Sequence, residues 1–465
     1  MRLVPKKTVS KFAHWCIVAM LISMAGCSSL PTIVPDMAIS NGPIKMSGSR
    51  GVLTAEQSRK IIQQLKASNP ESSLLDRHLA LEQALVDSPL VVGNRITLLQ
   101  DGSQTFKAVF DAIGSAKSTI NVETFIIEAD EIGNRFADLL IEKQRAGLQI
   151  NLMYDSVGSI DTPKEYFKRL TDAGVGVVEF NPVNPLKAKA GWNVNQRDHR
   201  KLMIIDGQIA FLGGVNISSV YSGGSGRQKV ATRPEDRAPW RDTHLRLEGP
   251  IVADFQKMFF ASWNKQKGPA LVQEKYFPKI AATGKDVVRA IGSSPDDGSL
   301  MYVTLVSAIR NAESTVWLTN AYFVPDPQLL SALIDTAQRG VDVRLILPRF
   351  TDSWLTLNVG RSHYDALLES GVKIYERRHR ILHAKTGVID GVWSTIGSTN
   401  LDWRSFLNND EVNAVVLSRE FADRMKAAYE GDITASDQIT LDAWRERPLT
   451  SRLRESFARL WQRGL

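Results

Sequence analysis

Apolar runs alternate with amphipathic stretches along this chain, and the alternation occurs twice. The segment AIGSAKSTINVETF at 112–125 resembles AIRNAESTVWLTNA at 308–321, and LTDAGVGVVEF at 170–180 resembles LLESGVKIYE at 367–376. Runs such as INLMY and VRLIL have the length and apolarity of strands buried on both faces. Each half is therefore predicted to run helix, strand, helix, strand, helix, strand and then one further strand.

This order of elements predicts an α/β fold with two similar halves, each a mostly parallel sheet flanked by helices. We assign residues 91–275 to the first half and residues 276–465 to the second. The chain has 465 residues, of which 43% are hydrophobic and 23% are charged. This composition is typical of a globular protein with two domains and short appendages.

The N-terminal 27 residues have the pattern of an export signal. Three lysines precede an apolar stretch at 12–26, and the small residues Ala25 and Gly26 stand directly before Cys27. We expect a lipoprotein signal with lipid attached to Cys27, in the bacterial cell envelope; the alternative is an uncleaved membrane anchor. Ser28 after that cysteine is compatible with the outer membrane. No other cysteine follows Cys27, so disulfides and thiol catalysis are excluded in the body.

Residues 28–90 are predicted to form a tether and two N-terminal helices. The stretch 28–50 is rich in Pro, Gly and Ser, which favours a flexible linker. Helices are expected near 54–67 and 72–87, and Thr54 with Gln57 forms a capping-box pattern for the first.

One rare pattern, HxKxxxxD, occurs once in each half. An asparagine follows each copy at the same offset, although the chain has only seven histidines. The two sets are His199, Lys201, Asp206 and Asn216 within HRKLMIIDGQIAFLGGVN, and His383, Lys385, Asp390 and Asn400 within HAKTGVIDGVWSTIGSTN.

These residue types suit attack on a phosphodiester. Lysines and asparagine amides can bind its oxygens, one imidazole can attack phosphorus, and the other can protonate the leaving alcohol. Histidine and lysine two positions apart share one face of a strand, whereas the motif aspartate has the opposite parity. We therefore expect Asp206 and Asp390 to support a turn. Asp242 and Glu411, each downstream of its motif, are candidates for orienting a histidine.

With these motifs the chain resembles the phospholipase D superfamily, and within it the bacterial cardiolipin synthases. The resemblance covers residues 91–465 and includes the segments GNRITLLQDG, ETFIIEAD and GSTNLDWRSFLNNDEVNAVV. It implies one active site between the two halves and a covalent phospho-histidine on His199, with His383 as acid and base. It also gives Asp242 and Glu411 the orienting positions, and Asn216, Asn400 and Ser398 substrate contacts.

The resemblance implies a membrane-associated phosphatidyltransferase that moves a phosphatidyl group from phosphatidylglycerol to a second phospholipid. Two alternatives stay open, namely a phospholipase D that uses water and, less favoured, a nuclease. The net charge of +7 and the pI near 9.2 suit an anionic lipid surface or a nucleic acid. No cofactor, metal or obligate protein partner is predicted.

Two further segments could contact lipid. The stretch 221–239 occurs only in the first half and carries Arg227, Lys229, Arg233 and Arg237, which suggests a loop that admits an anionic head group or a solvated insertion. The C-terminal segment predicts a helix with one apolar face, which we expect to pack on the protein core; the alternative is a membrane surface. That face comprises Leu449, Leu453, Phe457, Leu460 and Trp461.

Overall fold

A computed structural model describes most of the chain. The described residues are 29–33, 44–67, 74–75, 78–79, 88–187, 192–223, 238–271 and 276–465. The signal segment with Cys27 and the four cations Arg227, Lys229, Arg233 and Arg237 lie outside these ranges. Within them, no helix combines the length and apolarity needed to cross a membrane.

The first N-terminal helix begins at the predicted capping box. The amide of Gln57 donates to Thr54 Oγ1 at 3.2 Å, and the Thr54 amide donates to Gln57 Oε1 at 2.9 Å. Of the second predicted helix, only the helical residues 74–75 and 78–79 are described. The N-terminal elements are β1 (Met46–Gly48), β2 (Gly51–Val52) and α1 (Ala55–Ala67).

The tether predicted over 28–50 is wrong for the described part of that stretch. Leu30 and Ile33 are buried in the apolar core of the second half. The Ile33 amide also donates to Gln328 Oε1 at 3.0 Å. Burial of two branched side chains outweighs the flexibility that the Pro, Gly and Ser content suggests.

The first half is a seven-stranded sheet with the strand order β6-β5-β4-β8-β9-β10-β3. Helices α2 and α3 contribute to one apolar layer against this sheet. The elements are β3 (Leu90–Gln100), α2 (Asp101–Ser115), β4 (Thr119–Thr124), α3 (Glu131–Arg145), β5 (Gln149–Asp155), α4 (Lys164–Asp172), β6 (Gly176–Phe180), β7 (Arg197–Asp198), β8 (Lys201–Ile205), β9 (Ile209–Gly213), β10 (Thr243–Glu248) and α5 (Val252–Lys265).

The second half repeats this sheet with the order β14-β13-β12-β15-β16-β17-β11, and β18 is added beside β14. Two similar α/β halves are thus confirmed. The elements are β11 (Asp286–Ser293), α6 (Leu300–Asn311), β12 (Thr315–Asn320), α7 (Pro327–Gln338), β13 (Asp342–Pro348), α8 (Trp354–Arg361), α9 (Tyr364–Glu369), β14 (Lys373–Arg377), β15 (Lys385–Ile389), β16 (Trp393–Gly397), α10 (Trp403–Leu407), β17 (Asn409–Leu417), α11 (Arg419–Thr434), β18 (Ser436–Ile439), α12 (Leu441–Arg445) and α13 (Leu449–Arg459).

The strand directions correct one prediction, because the sheets are mixed and not mostly parallel. Only β4, β5 and β6, and likewise β12, β13 and β14, run parallel to one another. Each motif strand is followed by a tight Asp-Gly turn and forms an antiparallel hairpin. Asp206 and Gly207 both have positive φ, of 54° and 63°, as a two-residue hairpin turn requires.

The two halves share strands and a core. Strand β11 of the second half pairs antiparallel with the start of β3, so the sheets are continuous. One apolar cluster contains Leu202 and Leu212 from the first half together with Ile396 and Val412 from the second. The two motif strands therefore lie on either side of a common, buried interface.

Helix α13 is oriented opposite to the prediction. Its buried residues are Glu455 and Ala458, and Ala458 packs with Val324 and with Val359 of α8. The apolar face is exposed to solvent, so the expected packing of that face on the core is wrong. The exposed side chains are Leu449, Leu453, Phe457, Leu460 and Trp461.

Candidate active site

Each motif histidine is hydrogen-bonded through its backbone to a segment of the other half. Strand β7 pairs in parallel with the start of β17, and the His199 amide donates to the Asp410 carbonyl at 2.9 Å. In the second half, the His383 amide donates to the Arg241 carbonyl at 2.8 Å. The residues after Asp410 and Arg241 are Glu411 and Asp242. These backbone contacts therefore bring each histidine to a carboxylate of the opposite half.

The side chains of these residues also contact each other across the interface between the halves. Nδ1 of His199 lies 3.0 Å from both carboxylate oxygens of Glu411, and Nδ1 of His383 lies 2.7 Å from Oδ2 of Asp242. All four side chains are buried. With Nδ1–H donating to the carboxylate, Nε2 of each imidazole carries a lone pair for chemistry. Both predicted carboxylates thus contact a histidine, each one across the interface.

Both motif lysines lie in this buried interface. Lys201 Nζ donates to the His199 carbonyl at 2.5 Å, and Lys385 Nζ donates to the His383 carbonyl. Burial lowers the pKa of Lys201 to about 7, although the charge of Glu411 acts against it. Burial likewise lowers the pKa of Lys385 to about 8, against the charges of Asp242 and Glu411. An anion entering the site would favour the protonated lysines.

The two imidazoles differ electrostatically. Burial holds the pKa of His199 well below its usual range, and Lys201 and Lys385 add to that effect. The pKa of His383 is also lowered by burial and by Lys385, but Asp242 opposes the shift. Burial acts to raise the pKa of Asp242, but the charge and hydrogen bond of His383, the charge of Lys385 and the Thr243 amide together lower it. Burial raises the pKa of Glu411 to about 7. We therefore expect His199 to be neutral and His383 to be protonated more readily than His199.

The motif asparagines contact backbone and hydroxyl groups. Asn216 accepts the Ile126 amide at 3.3 Å on Oδ1, and its Nδ2 donates to the Tyr221 hydroxyl at 2.9 Å. The Asn400 amide donates to Ser405 Oγ at 3.3 Å, whereas its buried Oδ1 has no hydrogen-bond partner among the described residues. The Asn216 side chain keeps one Nδ2 hydrogen that these contacts do not use, and the Asn400 contact, made by the backbone, uses neither of its Nδ2 hydrogens.

Ser398, predicted as a substrate contact, lies directly beside Glu411. Its hydroxyl donates to Glu411 Oε2 and accepts the Val412 amide at 3.0 Å. The first half has Gly214 at this position, where a Cβ atom would lie only 2.1 Å from Asp242 Oδ1. The shorter aspartate thus occupies space that a serine side chain takes beside the longer glutamate. Ser398 orients the carboxylate because both of its hydrogen bonds are used within the second half.

Asp206 and Asp390 bind backbone groups, not the histidines. The carboxylate of Asp206 accepts the amides of Lys117, Ser118 and Thr119 at 2.7–3.0 Å. Asp390 likewise accepts the amides of Glu313, Ser314 and Thr315, at 2.8–2.9 Å. Each motif aspartate therefore fixes the loop that begins the strand beside its hairpin. These contacts agree with the supporting role at a turn that was predicted from the sequence for Asp206 and Asp390.

Three aromatic residues lie next to the histidines and were not predicted from the sequence. The Tyr221 hydroxyl is 3.3 Å from His383 Nδ1, and the Trp240 ring centroid is 5.5 Å from that of His383. Phe125 lies edge-on to His199 at 5.0 Å. Tyr221 follows Asn216 by five positions, and Ser405 follows Asn400 by five. An alignment of the two halves that continued past Asn216 and Asn400 could have identified Tyr221 and Ser405 as equivalent positions.

Comparisons with known proteins agree with this geometry. A protein family described as "Cardiolipin synthase, PLD-like domain" matches residues 109–221 and 305–433. The chain is 34% identical over 402 residues to a cardiolipin synthase of Alkalihalophilus pseudofirmus, covering 86% of this chain and 77% of that protein. It is 35% identical over 366 residues to cardiolipin synthase 2 of Bacillus anthracis, covering 78% and 69%.

Among solved structures, the fold resembles the phosphatidylserine synthase of Haemophilus influenzae Rd KW20. The TM-score is 0.61 at 13% sequence identity, over 83% of this chain and 99% of that one. At this identity the similarity bears on the fold alone.

Proposed function

Because the chain belongs to the cardiolipin synthase family, which carries phospholipase D-like domains, we propose that it is a phosphatidyltransferase. The donor is phosphatidylglycerol, and the acceptor is the free hydroxyl of a second phosphatidylglycerol. The products are cardiolipin and glycerol. The observation that carries this proposal is the crossed pair of histidine–carboxylate contacts, with two buried lysines beside them.

In the first step, Nε2 of His199 attacks the phosphorus of the donor. A P–N bond forms as the P–O bond to glycerol breaks, and protonated His383 gives its Nε2 proton to the leaving oxygen. Glu411 stabilises the positive charge that develops on the His199 ring. Lys201 and Lys385 stabilise the negative charge on the phosphoryl oxygens in the transition state.

In the second step, the neutral His383 takes the proton of the acceptor hydroxyl. The alkoxide oxygen attacks phosphorus, the P–N bond breaks, and His199 recovers its lone pair. Asp242 stabilises the imidazolium of His383 that forms in this step. Both imidazoles therefore return to their starting protonation states, and no proton is gained or lost over the cycle.

A product assay tests this proposal. The purified chain is supplied with phosphatidylglycerol vesicles, and the lipid products and free glycerol are measured. Equal amounts of cardiolipin and glycerol, both absent with His199→Ala, are expected. Phosphatidic acid in place of cardiolipin would mean that water is the acceptor and that the chain is a phospholipase D. No lipid product from a folded enzyme would contradict both assignments and leave a nucleic acid substrate to be tested.

We further propose that the N-terminus attaches the enzyme to the cell envelope through a lipid on Cys27. The supporting pattern is the basic, apolar and small-residue order that ends at this cysteine. Incorporation of labelled palmitate in cells, and its loss in Cys27→Ser, is the expected result. Label retained by the serine variant, or absent from both forms, would contradict the lipoprotein assignment.

A further inference from the structure

Helix α13 exposes large apolar side chains that a water-soluble surface rarely groups together. Leu449, Leu453 and Phe457 recur at helical spacing on one face, and Leu460 and Trp461 follow directly after the helix; each of the five is between 50% and 79% exposed. The helix packs on the protein through the opposite face, which carries the small residue Ala458. A contiguous exposed apolar surface of this kind marks a site of interaction.

Cations border this apolar face. Helical geometry places Arg452 and Arg459 along one side of the face and Arg454 along the other, and Arg463 follows in the 3-10 turn after the helix. The single acidic residue in 449–465 is Glu455, which is buried and paired with Arg447 at 3.0 Å. An apolar face with cations on both sides is the pattern of a helix that lies in the interface of an anionic membrane.

A series of contacts connects the helix with His383 of the proposed active site. Helix α13 packs on α8, whose first residue, Trp354, is half exposed. Two residues earlier, Asp352 accepts the Tyr322 hydroxyl at 2.5 Å, and the Tyr322 ring centroid is 6.4 Å from that of His383. Trp354 and the start of α8, the helix on which α13 packs, therefore lie on the side of the second half where His383 is found.

Arg404 of the second half connects the C-terminus with a first-half loop that has exposed apolar residues. The Arg404 amide donates to the Leu465 carbonyl at 2.7 Å, and the Arg404 guanidinium donates to the Asn195 carbonyl at 3.0 Å. Val194, directly before Asn195, is exposed, as are Val183 and Leu186 earlier in that loop.

The turn after β5 adds two more exposed apolar residues on the His199 side. Val157 and Ile160 flank Ser159, whose hydroxyl donates to the Phe125 carbonyl at 3.2 Å. Phe125 in turn contacts the His199 ring. Among the described residues, Val52 is the one strongly exposed large apolar side chain outside these segments.

We propose that these segments form a docking face for an anionic phospholipid bilayer. The docking face comprises the apolar side of α13, Trp354, and the exposed side chains of Val157, Ile160, Val183, Leu186 and Val194. Insertion of its side chains removes apolar surface from water, while the arginines approach the lipid phosphates. The proposal rests on the proposed function, because it presents the active-site mouth to the membrane that holds the substrate.

The first test compares two forms of one substrate. Leu453→Ser, Phe457→Ser and Leu460→Ser are combined in the full chain, and Val52→Ser is the matched control. Turnover is measured on phosphatidylglycerol vesicles and on short-chain phosphatidylglycerol below its critical micelle concentration. We expect the triple variant to lose about tenfold or more on vesicles and to stay within about twofold of wild type on the monomer. Equal activity of both variants on vesicles would overturn the proposal.

The second test does not depend on activity. Hydrogen exchange of the amides in 449–463 is measured in the full chain, alone, with phosphatidylcholine vesicles, and with vesicles that contain phosphatidylglycerol. The anionic vesicles should slow exchange most. Equal exchange under all conditions would mean that lipid does not contact the face and would overturn the proposal. If wild type turns over no lipid, the proposed function fails, and this test still decides the docking.

Discussion

Nδ1 of His199 lies 3.0 Å from the carboxylate of Glu411, a residue 212 positions later in the chain. His383 makes the reciprocal contact with Asp242, which lies 141 positions earlier. Each half thus supplies the histidine of one pair and the carboxylate of the other. Neither half alone contains an oriented histidine, so the catalytic geometry requires the buried interface between the halves.

The crossed pairing predicts which step each carboxylate variant impairs. With a phosphatidyl ester of p-nitrophenol, the leaving group needs no proton, so the first step requires His199 and Glu411 but no proton from His383. Glu411→Gln should abolish the burst of nitrophenol, whereas Asp242→Asn should keep the burst and slow the later turnover by about 100-fold to 10,000-fold. Rapid-mix kinetics measures both phases.

The opposite assignment has a distinct signature in the same experiment. If each carboxylate served the histidine of its own half, Asp242→Asn would lose the burst and Glu411→Gln would keep it. Wild-type circular dichroism and Tm values for both variants would exclude unfolding as the cause.

Gly214 is predicted to be required for the orientation of Asp242. A Cβ atom there would lie 2.1 Å from Asp242 Oδ1, so Gly214→Ala should displace the carboxylate and reduce turnover by about 100-fold. Gly114→Ala is the matched control, because a Cβ at that helical position meets open space. Steady-state kinetics on both variants provides the measurement, and equal activities would show that the close approach has no functional consequence.

The motif aspartates are predicted to contribute to stability. Asp206→Asn keeps a residue type that tolerates positive φ but weakens three hydrogen bonds to backbone amides. The free energy of unfolding should fall by about 1–3 kcal/mol, while kcat/KM of the folded enzyme changes little. Urea unfolding and initial rates measure the two quantities, and Asp390→Asn should behave alike. A fully stable but inactive Asp206→Asn would instead give this aspartate a role in the chemistry.

The buried lysines predict a fall in kcat/KM at alkaline pH. A lysine is cationic below its pKa, and the pKa values of Lys201 and Lys385 are lowered to about 7 and about 8. The free enzyme should therefore lose affinity for the anionic substrate as pH rises through about 7 to 8. The measurement is a pH profile with monomeric short-chain phosphatidylglycerol. Lys385→Arg keeps its charge, so its profile should retain the fall near pH 7 from Lys201 and lose the fall near pH 8. A flat wild-type profile up to pH 10 would rule out this role for the lysines.

Local patterns in the sequence predicted the elements and chemistry of each half, but not the contacts between halves. The capping box at Thr54 and the two hairpin turns depend on neighbouring residues and are visible in the sequence. The crossed pairing depends on the parallel bridge between β7 and β17, which joins residues more than 200 positions apart. The pairing register of two strands so far apart in the chain cannot be predicted from a local sequence pattern.

Two other differences have similar physical causes. An apolar run shows that a strand is buried, but not which direction its neighbour takes, so the mixed sheets were not predicted. The amphipathic pattern at 449–461 correctly indicated an apolar face on α13. Whether protein or another surface covers that face depends on the rest of the fold, and here the small residue Ala458 makes the protein contact.

Identification of the covalent intermediate tests the central claim most directly. Wild-type enzyme turning over phosphatidylglycerol is quenched within milliseconds, digested under alkaline conditions that preserve P–N bonds, and analysed by mass spectrometry. We predict a phosphatidyl adduct on the peptide that contains His199, and none on the peptide that contains His383. An adduct on His383 alone, or cardiolipin formation without an adduct on either histidine, would contradict the account.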